Sequence, residues 1–254
     1  MAVTLPKEKT KPTLDLSSKT LLVYGPPKIG KSTFASRFPH ALFFECEPGL
    51  NELEVFKVPT YSWADLLAAC KLVAAGDHPF KTIVIDTVDN AFKLCSEHIC
   101  AQQKIDYEGD LEHGKGWAFV KNEWHRVLTR LASLPYGLVL ISHASDKQVK
   151  TRTEEYTKTQ PSLPDRARNV VLGLVDIILY CDTITRKGRD GGVTVERVIR
   201  TKPNPAYEAG DRTGRLPETM PLDFATFCKA FNESEGKPAQ NPQSATPSNK
   251  ENKQ

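Results

Sequence analysis

Short, continuous apolar runs rich in Val, Ile, Leu and Phe recur along the chain, separated by stretches with helical spacing. "TLLVY" (20–24), "ALFFE" (41–45), "KTIVIDTVD" (81–89), "GLVLIS" (137–142) and "LVDIILYCD" (174–182) read as strands buried on both faces. "SWADLLAACKLVAAG" (62–76) has helical periodicity, a Ser N-cap and a closing Gly. "NAFKLCSEHICAQQK" (90–104) and "WAFVKNEWHRVLTRLAS" (117–133) read as amphipathic helices, and a further helix following the first strand ends at Phe38-Pro39. This alternation predicts an α/β fold with a mainly parallel sheet covered by helices on both faces. The pattern changes near the end. "IILYCDTIT" and "VTVERVIRTK" flank a Gly-rich turn and predict an antiparallel hairpin at the sheet edge, closed by a C-terminal helix, "LDFATFCKAF" (222–231).

The ends lack this patterning. Residues 233–254 hold no aromatic and no aliphatic larger than Ala, and the first seventeen residues are polar and lysine-dotted. One folded domain over 18–232, between disordered tails at 1–17 and 233–254, is therefore expected. Charged residues make up 26% of the 254 and the formal net charge is only +3, so any nucleic-acid surface would have to be local. None of the six cysteines forms a C-x-x-C pair, no secretory h-region opens the chain, and no run reaches the roughly 18 apolar residues of a membrane span. Reduced thiols in a cytoplasmic protein are expected. Cys95, His98, Cys100 and His113 suggest a metal cluster at first sight. On a helix, however, position 100 lies about 200° round from 98, and zinc is not expected. Trp117, Phe119 and Trp124 read as core and interface residues.

The chemistry concentrates after the first strand. Gly25-Pro26-Pro27-Lys28-Ile29-Gly30-Lys31-Ser32, followed by Thr33, satisfies G-x-x-x-x-G-K-[ST] between a strand and a helix. Gly25 and Gly30 let the backbone wrap a phosphate, Lys31 reaches the terminal phosphate oxygens, and the Ser32 hydroxyl suits Mg2+. Asp86 ends "TIVID", where a carboxylate at a strand tip can hold the same Mg2+. Hydrolysis also needs a group that activates water. The residue after Asp86 is Thr87, so the candidates are Glu45 and Glu47 in "FFECEPGL". If that strand neighbours the Asp86 strand, Glu47 faces Lys31 across the phosphate end, and it is the preferred base.

In order, "YGPPKIGKST", "LFFECEPGL", "TIVIDTVDN" and "LVLISHASDKQ" resemble the RecA-like P-loop ATPases, above all a phage-encoded branch of AAA-type or single-strand-annealing recombinase ATPases. The resemblance spans about 19–231. The "E-x-E-P-G-L" strand end and the late "KP…AGDRTGRLP" are its more particular features. It implies ATP and Mg2+ as ligands and Glu47 as the catalytic glutamate. It also implies that His143 is a γ-phosphate sensor, where RecA itself carries glutamine. Arg200 and Lys202, or alternatively Arg212, are implied to reach a neighbouring subunit's nucleotide, so activity requires a homo-oligomeric filament or ring.

Residues 147–169 read as a long mobile loop with six cations against three acids, able to track DNA phosphates while Tyr156 stacks on a base. Lys147, Lys150, Arg152, Tyr156 and Lys158 are its single-stranded-DNA candidates. Arg186, Lys187 and Arg189 form a second basic tip, read as solvated turn charges. The leading function is an ATP-hydrolysing protein working on DNA in phage-type recombination or annealing, in the host cytoplasm, with a single-strand-binding protein as a possible partner and no membrane. A nucleotide-gated switch or replication loader is the alternative. A small-molecule or nucleotide kinase, with 147–169 as its lid, is a weaker one.

Overall fold

A computed structural model describes residues 5–11, 13, 15–187 and 192–233. The chain runs β1 (Thr20–Gly25), α1 (Lys31–Ala35), β2 (Ala41–Glu45), β3 (Phe56–Pro59), α2 (Trp63–Ala75), β4 (Thr82–Asp86), α3 (Val88–Gln103) and α4 (Lys115–Ala132). It continues through β5 (Gly137–Lys150), β6 (Glu155–Pro161), α5 (Asp165–Leu174), β7 (Ile177–Lys187), β8 (Val193–Arg200), β9 (Gly210–Asp211), β10 (Thr219–Pro221) and α6 (Phe224–Glu233). The strands form one sheet in the order β10-β8-β7-β1-β5-β4-β2-β3. From β3 to β7 the neighbours are parallel, while β8 and β10 are antiparallel. The expected fold class holds, namely a mainly parallel sheet flanked by helices with an antiparallel C-terminal hairpin.

Two cores follow from strands that are apolar on both faces. Along β4, Ile83 and Ile85 pack with α2, α3, α4 and α5 around Trp63 and Trp124. Val84, pointing the opposite way, packs with Val23, Phe43 and Ile141 against α1 and α6. Leu16 belongs to the second core and opens a one-turn 3-10 helix capped by the Asp15 carboxylate, so the tail boundary placed after residue 17 falls inside this turn. Residues 234–254 and Arg189 lie outside the described residues. Among the described residues, no helix is long and apolar enough to cross a membrane.

The main correction concerns 147–169, which is not a loop. β5 runs on past the sheet to Lys150 and pairs antiparallel with β6, with Val149 opposite Tyr156 and Lys147 opposite Lys158. Its Thr-rich alternation supports a strand without supplying apolar content. The stretch then turns into α5, whose Ala167 and Val171 are buried. α1 stops at Ala35, short of the expected Phe38, because the following residues tighten into turns before Pro39. β3 was not expected, being four residues long and largely exposed at the sheet edge.

Candidate nucleotide site

Register brings the motif residues to one edge of the sheet. Gly25 at the tip of β1 lies opposite His143 on β5, Glu45 lies opposite Asp86, and Asp86 lies opposite Ile141. Because β2 does neighbour β4, the chain leaving Glu45 passes over the Asp86 tip, where Cys46 N donates to the Asp86 carbonyl at 2.8 Å. One cleft of about 470 Å3 is lined by Pro27, Lys28, Gly30, Lys31, Ser32, Thr33, Glu47, Asp86 and His143. The sequence-predicted phosphate-loop, metal and catalytic residues therefore meet.

The loop needs its glycines for different reasons. Gly25 has no room for a side chain, since a Cβ there would stand 2.5 Å from the Cys181 carbonyl oxygen on β7. Gly30 has φ 113°, a left-handed conformation that favours glycine, and Lys28 is left-handed as well at φ 63°. Left-handed residues interspersed in a turn gather backbone N–H groups into an anion-binding concavity. With α1 only five residues long, this cradle and the Lys31 charge, rather than a helix dipole, are what the loop would offer an anion.

Lys31 is 5% exposed, and its Nζ donates to the carbonyls of Gly25 and Pro26, both at 2.9 Å. Burial lowers its pKa, against the opposing pull of nearby acidic groups. Ser32 Oγ donates to Asp86 Oδ2 at 2.6 Å. Burial pushes the Asp86 carboxyl above the usual range, partly offset by this hydrogen bond. A hydroxyl and a carboxylate side by side are the hard oxygen donors that Mg2+ prefers, and a cation between them would relieve a buried charge, so these residues fit the metal.

The structure separates the two glutamates. Glu45 is buried and takes hydrogen bonds from Lys57 Nζ at 2.9 Å and Tyr61 OH at 3.0 Å. Burial alone would raise its pKa, yet those bonds win and hold it below the usual range. Glu47 instead faces the phosphate loop. Its Oε1 lies 3.3 Å from His143 Nε2, and its Oε2 accepts from Asn90 Nδ2. His143 Nδ1 is buried without a hydrogen-bond partner among the described residues, so Nε2, facing Glu47, is the ring nitrogen that is engaged. The His143 backbone N–H donates to Asp89 Oδ2 at 3.2 Å. Asp89 Oδ1 accepts from Ser142 Oγ at 3.0 Å and from Ser162 Oγ beyond the β5–β6 hairpin.

Asp89 and Asn90, in the first turn of α3, are the residues that sequence reading missed, although "DTVDN" placed them three and four positions after Asp86. Arg197 was missed without any signal. From β8 its Nη1 donates to Ile29 O, inside the phosphate loop, at 3.2 Å.

The candidates farther away divide. Lys147 pairs with Asp165 and Lys158 with Glu208, while Lys150 and Arg152, at the hairpin tip, are exposed with no ion-pair partner among the described residues. Tyr156 is half-buried on β6. Arg168 is buried against the Leu163 carbonyl and Asp165, and Arg166 lies over the Trp117 ring. Arg200, Lys202 and Arg212 are each tied within the chain, to Asp182, Asp211 and Asp176. Trp124 is fully buried, whereas Phe119 is partly exposed.

A family model described as "AAA domain" matches residues 17–213, from the turn before β1 to the segment after β9. A curated relative, the SPbeta prophage-derived uncharacterized protein YorG of Bacillus subtilis (strain 168), is 26% identical over 171 residues, 65% of this chain. The match covers 51% of YorG, so the chain spans about half the length of that relative. Among solved structures, the KaiC-like protein PH0186 of Pyrococcus horikoshii OT3 is similar at 12% identity and TM-score 0.44, over 77% of this chain and 84% of that one. With its phosphate loop intact and the family match covering well over half of the chain, the protein belongs to the AAA domain family of P-loop NTPases.

Proposed function

We propose that the protein binds ATP with Mg2+, hydrolyses it, and acts on single-stranded DNA in phage-type recombination or annealing. The observation that carries the ATPase reading is the convergence of Lys31, Ser32, Asp86, Glu47 and His143 on one cleft. Lys31 would exchange the carbonyls of Gly25 and Pro26 for phosphate oxygens, trading neutral acceptors for charged ones. Mg2+ held by Ser32 and Asp86 would supply neutralisation of the charge that develops on the phosphates. Glu47 would accept the proton of the attacking water once one of its oxygens is released. His143, beside Glu47 and at the start of the segment leading to the hairpin, would report the state of the cleft to Lys150 and Arg152, the phosphate contacts proposed for DNA.

A homo-oligomer is part of the proposal, with Arg200, Lys202 or Arg212 leaving its present ion pair to reach a neighbour's nucleotide. One observation favours a second reading. Both Glu47 oxygens are already engaged, as suits a nucleotide-gated switch or loader that hydrolyses slowly. The kinase reading loses support, because Lys147, Lys158, Arg166 and Arg168 of its supposed lid are all occupied within a hairpin and a helix. Steady-state ATP turnover with Mg2+, measured with and without single-stranded DNA and with candidate phosphate acceptors, tests this. Stimulation of more than a few-fold by DNA is expected. DNA-independent transfer to an acceptor would overturn it.

A further inference from the structure

Away from the nucleotide cleft, α2 and α4 leave a groove of about 530 Å3 between them. Its floor is apolar, made by Leu67 and Cys70 of α2 with Val127 and Leu131 of α4. Its rim is basic, with Lys71 on one side and Arg126 and Arg130 on the other. Arg126 is paired with Glu123. Lys71 and Arg130 are exposed and have no ion-pair partner among the described residues. An apolar floor between unpaired cations fits an acidic segment that carries one large side chain.

The chain itself carries such a segment. Residues 106–112, "DYEGDLE", hold four acids and no Lys or Arg, and fold into short 3-10 turns ahead of α4. Tyr107 is 57% exposed. Its ring lies over Gly109, where a side chain would clash with it. Asp110 fixes the turn by accepting from the backbone N–H groups of Asp106 and Tyr107 at 3.0 and 3.1 Å. An aromatic ring already held outward in this way loses little freedom on docking. The Asp106 and Glu112 side chains are exposed and unpaired among the described residues, as Lys71 and Arg130 are. A molecule cannot fill its own groove with this turn. Glu108 lies against Gly116 in the first turn of α4, whereas Arg130 is in the last, about 21 Å farther along the helix. The ends of the chain do not suit the groove either. Residues 1–14 carry Lys7, Lys9 and Lys11 against Glu8, and residues 234–254 hold no aromatic and no aliphatic larger than Ala.

We propose that the α2–α4 groove receives the 106–112 turn of a second copy of this chain, with Tyr107 on the apolar floor and Asp106 and Glu112 facing Lys71 and Arg130. The contact uses none of Arg200, Lys202 or Arg212 and does not depend on the nucleotide reading.

Sedimentation velocity of the full chain over a concentration series, without nucleotide or DNA, tests this. Lys71→Glu with Arg130→Glu reverses the charge of the groove, Asp106→Lys with Glu112→Lys reverses that of the turn, and all four substitutions together restore opposite signs. The four positions are exposed, and circular dichroism checks that each variant folds. The wild type should associate with a Kd of about micromolar order, more weakly as salt rises. Either pair of substitutions should weaken association about tenfold or more, and the quadruple variant should recover most of it. Tyr107→Ala should weaken it as well, with every charge in place. A wild type that stays monomeric up to about 100 μM overturns the proposal, as does association indifferent to both pairs or a quadruple variant without recovery. Binding of an acidic peptide of foreign sequence to the groove of a chain that stays monomeric would assign the groove to another protein, and overturns it too.

Discussion

Replacing Gly25 by Ala tests whether the phosphate loop is seated as tightly as the structure shows. The added Cβ would lie 2.5 Å from the Cys181 carbonyl oxygen and 2.9 Å from the Cys181 Cβ, where ordinary contact begins at 3.4 Å. Cys181 is fully buried in β7, paired on its far side with Ile199 of β8, so it has no free direction in which to yield. β1 and β7 must therefore part locally by roughly 0.9 Å, the difference between 3.4 and 2.5 Å. Overpacking of this kind costs about 1–3 kcal/mol. For a domain of this size that lowers the melting temperature by about 2–12 °C. The same shift moves the Gly25 carbonyl that holds Lys31 and the Tyr24 hydroxyl that donates to the Glu208 carbonyl at 2.6 Å. Thermal unfolding by circular dichroism, paired with ATP titration, reads both effects, and ATP affinity should fall along with stability. Wild-type melting would refute the close approach of the two strands. A lower melting temperature with intact ATP affinity would refute the link between that packing and the phosphate cradle.

Asp86→Asn should raise the melting temperature of the ligand-free protein by a few degrees, because it removes a buried charge and keeps an acceptor for Ser32, while Mg2+-dependent nucleotide binding is lost; calorimetry in both states checks this. The sign in pH follows, since a carboxyl whose pKa is raised on folding favours the folded state at low pH and loses that contribution as pH climbs from its ordinary 3.8 through the raised value. Melting followed from pH 4 upward should show this slope in the wild type and not in Asp86→Asn. Asn90→Ala should release Glu47 and increase ATP turnover without DNA several-fold at unchanged KM, and a turnover equal to the wild type would show that Asn90 does not restrain the carboxylate. Replacing Lys150 and Arg152 together by Ala should weaken single-stranded-DNA binding and flatten its salt dependence by about two counterions, read by fluorescence anisotropy across a salt series.

The parts of the site that were legible in the sequence are those carried by local pattern. The phosphate loop and Asp86 sit at the ends of strands whose continuous apolar content announces burial, and parallel pairing brings such ends to one edge. The choice between Glu45 and Glu47 was only half legible. What holds Glu45 away from the loop is Lys57 on β3 together with Tyr61 just after it, and β3 has too few buried residues to read as a strand. The β5–β6 hairpin was misread because its strands pair through polar, Thr-rich positions, and burial is what hydrophobic patterning detects. α5 was hidden for a related reason, its buried face being interrupted by Arg168, which pairs with Asp165 one turn earlier. Arg197 could not have been found this way, because its contact with Ile29 joins positions 168 residues apart.

Glu47→Gln bears most directly on the central claim. The substitution keeps the size of the side chain and one acceptor oxygen, turns the other oxygen into an NH2 donor that Asn90 can meet by turning its own amide, and removes the capacity to take a proton. Single-turnover hydrolysis of ATP in Mg2+, alongside equilibrium ATP binding, separates chemistry from affinity. Wild-type affinity with hydrolysis reduced at least about a hundredfold is the expected result for loss of a general base. Hydrolysis at the wild-type rate would contradict the account and move the base elsewhere in the cleft.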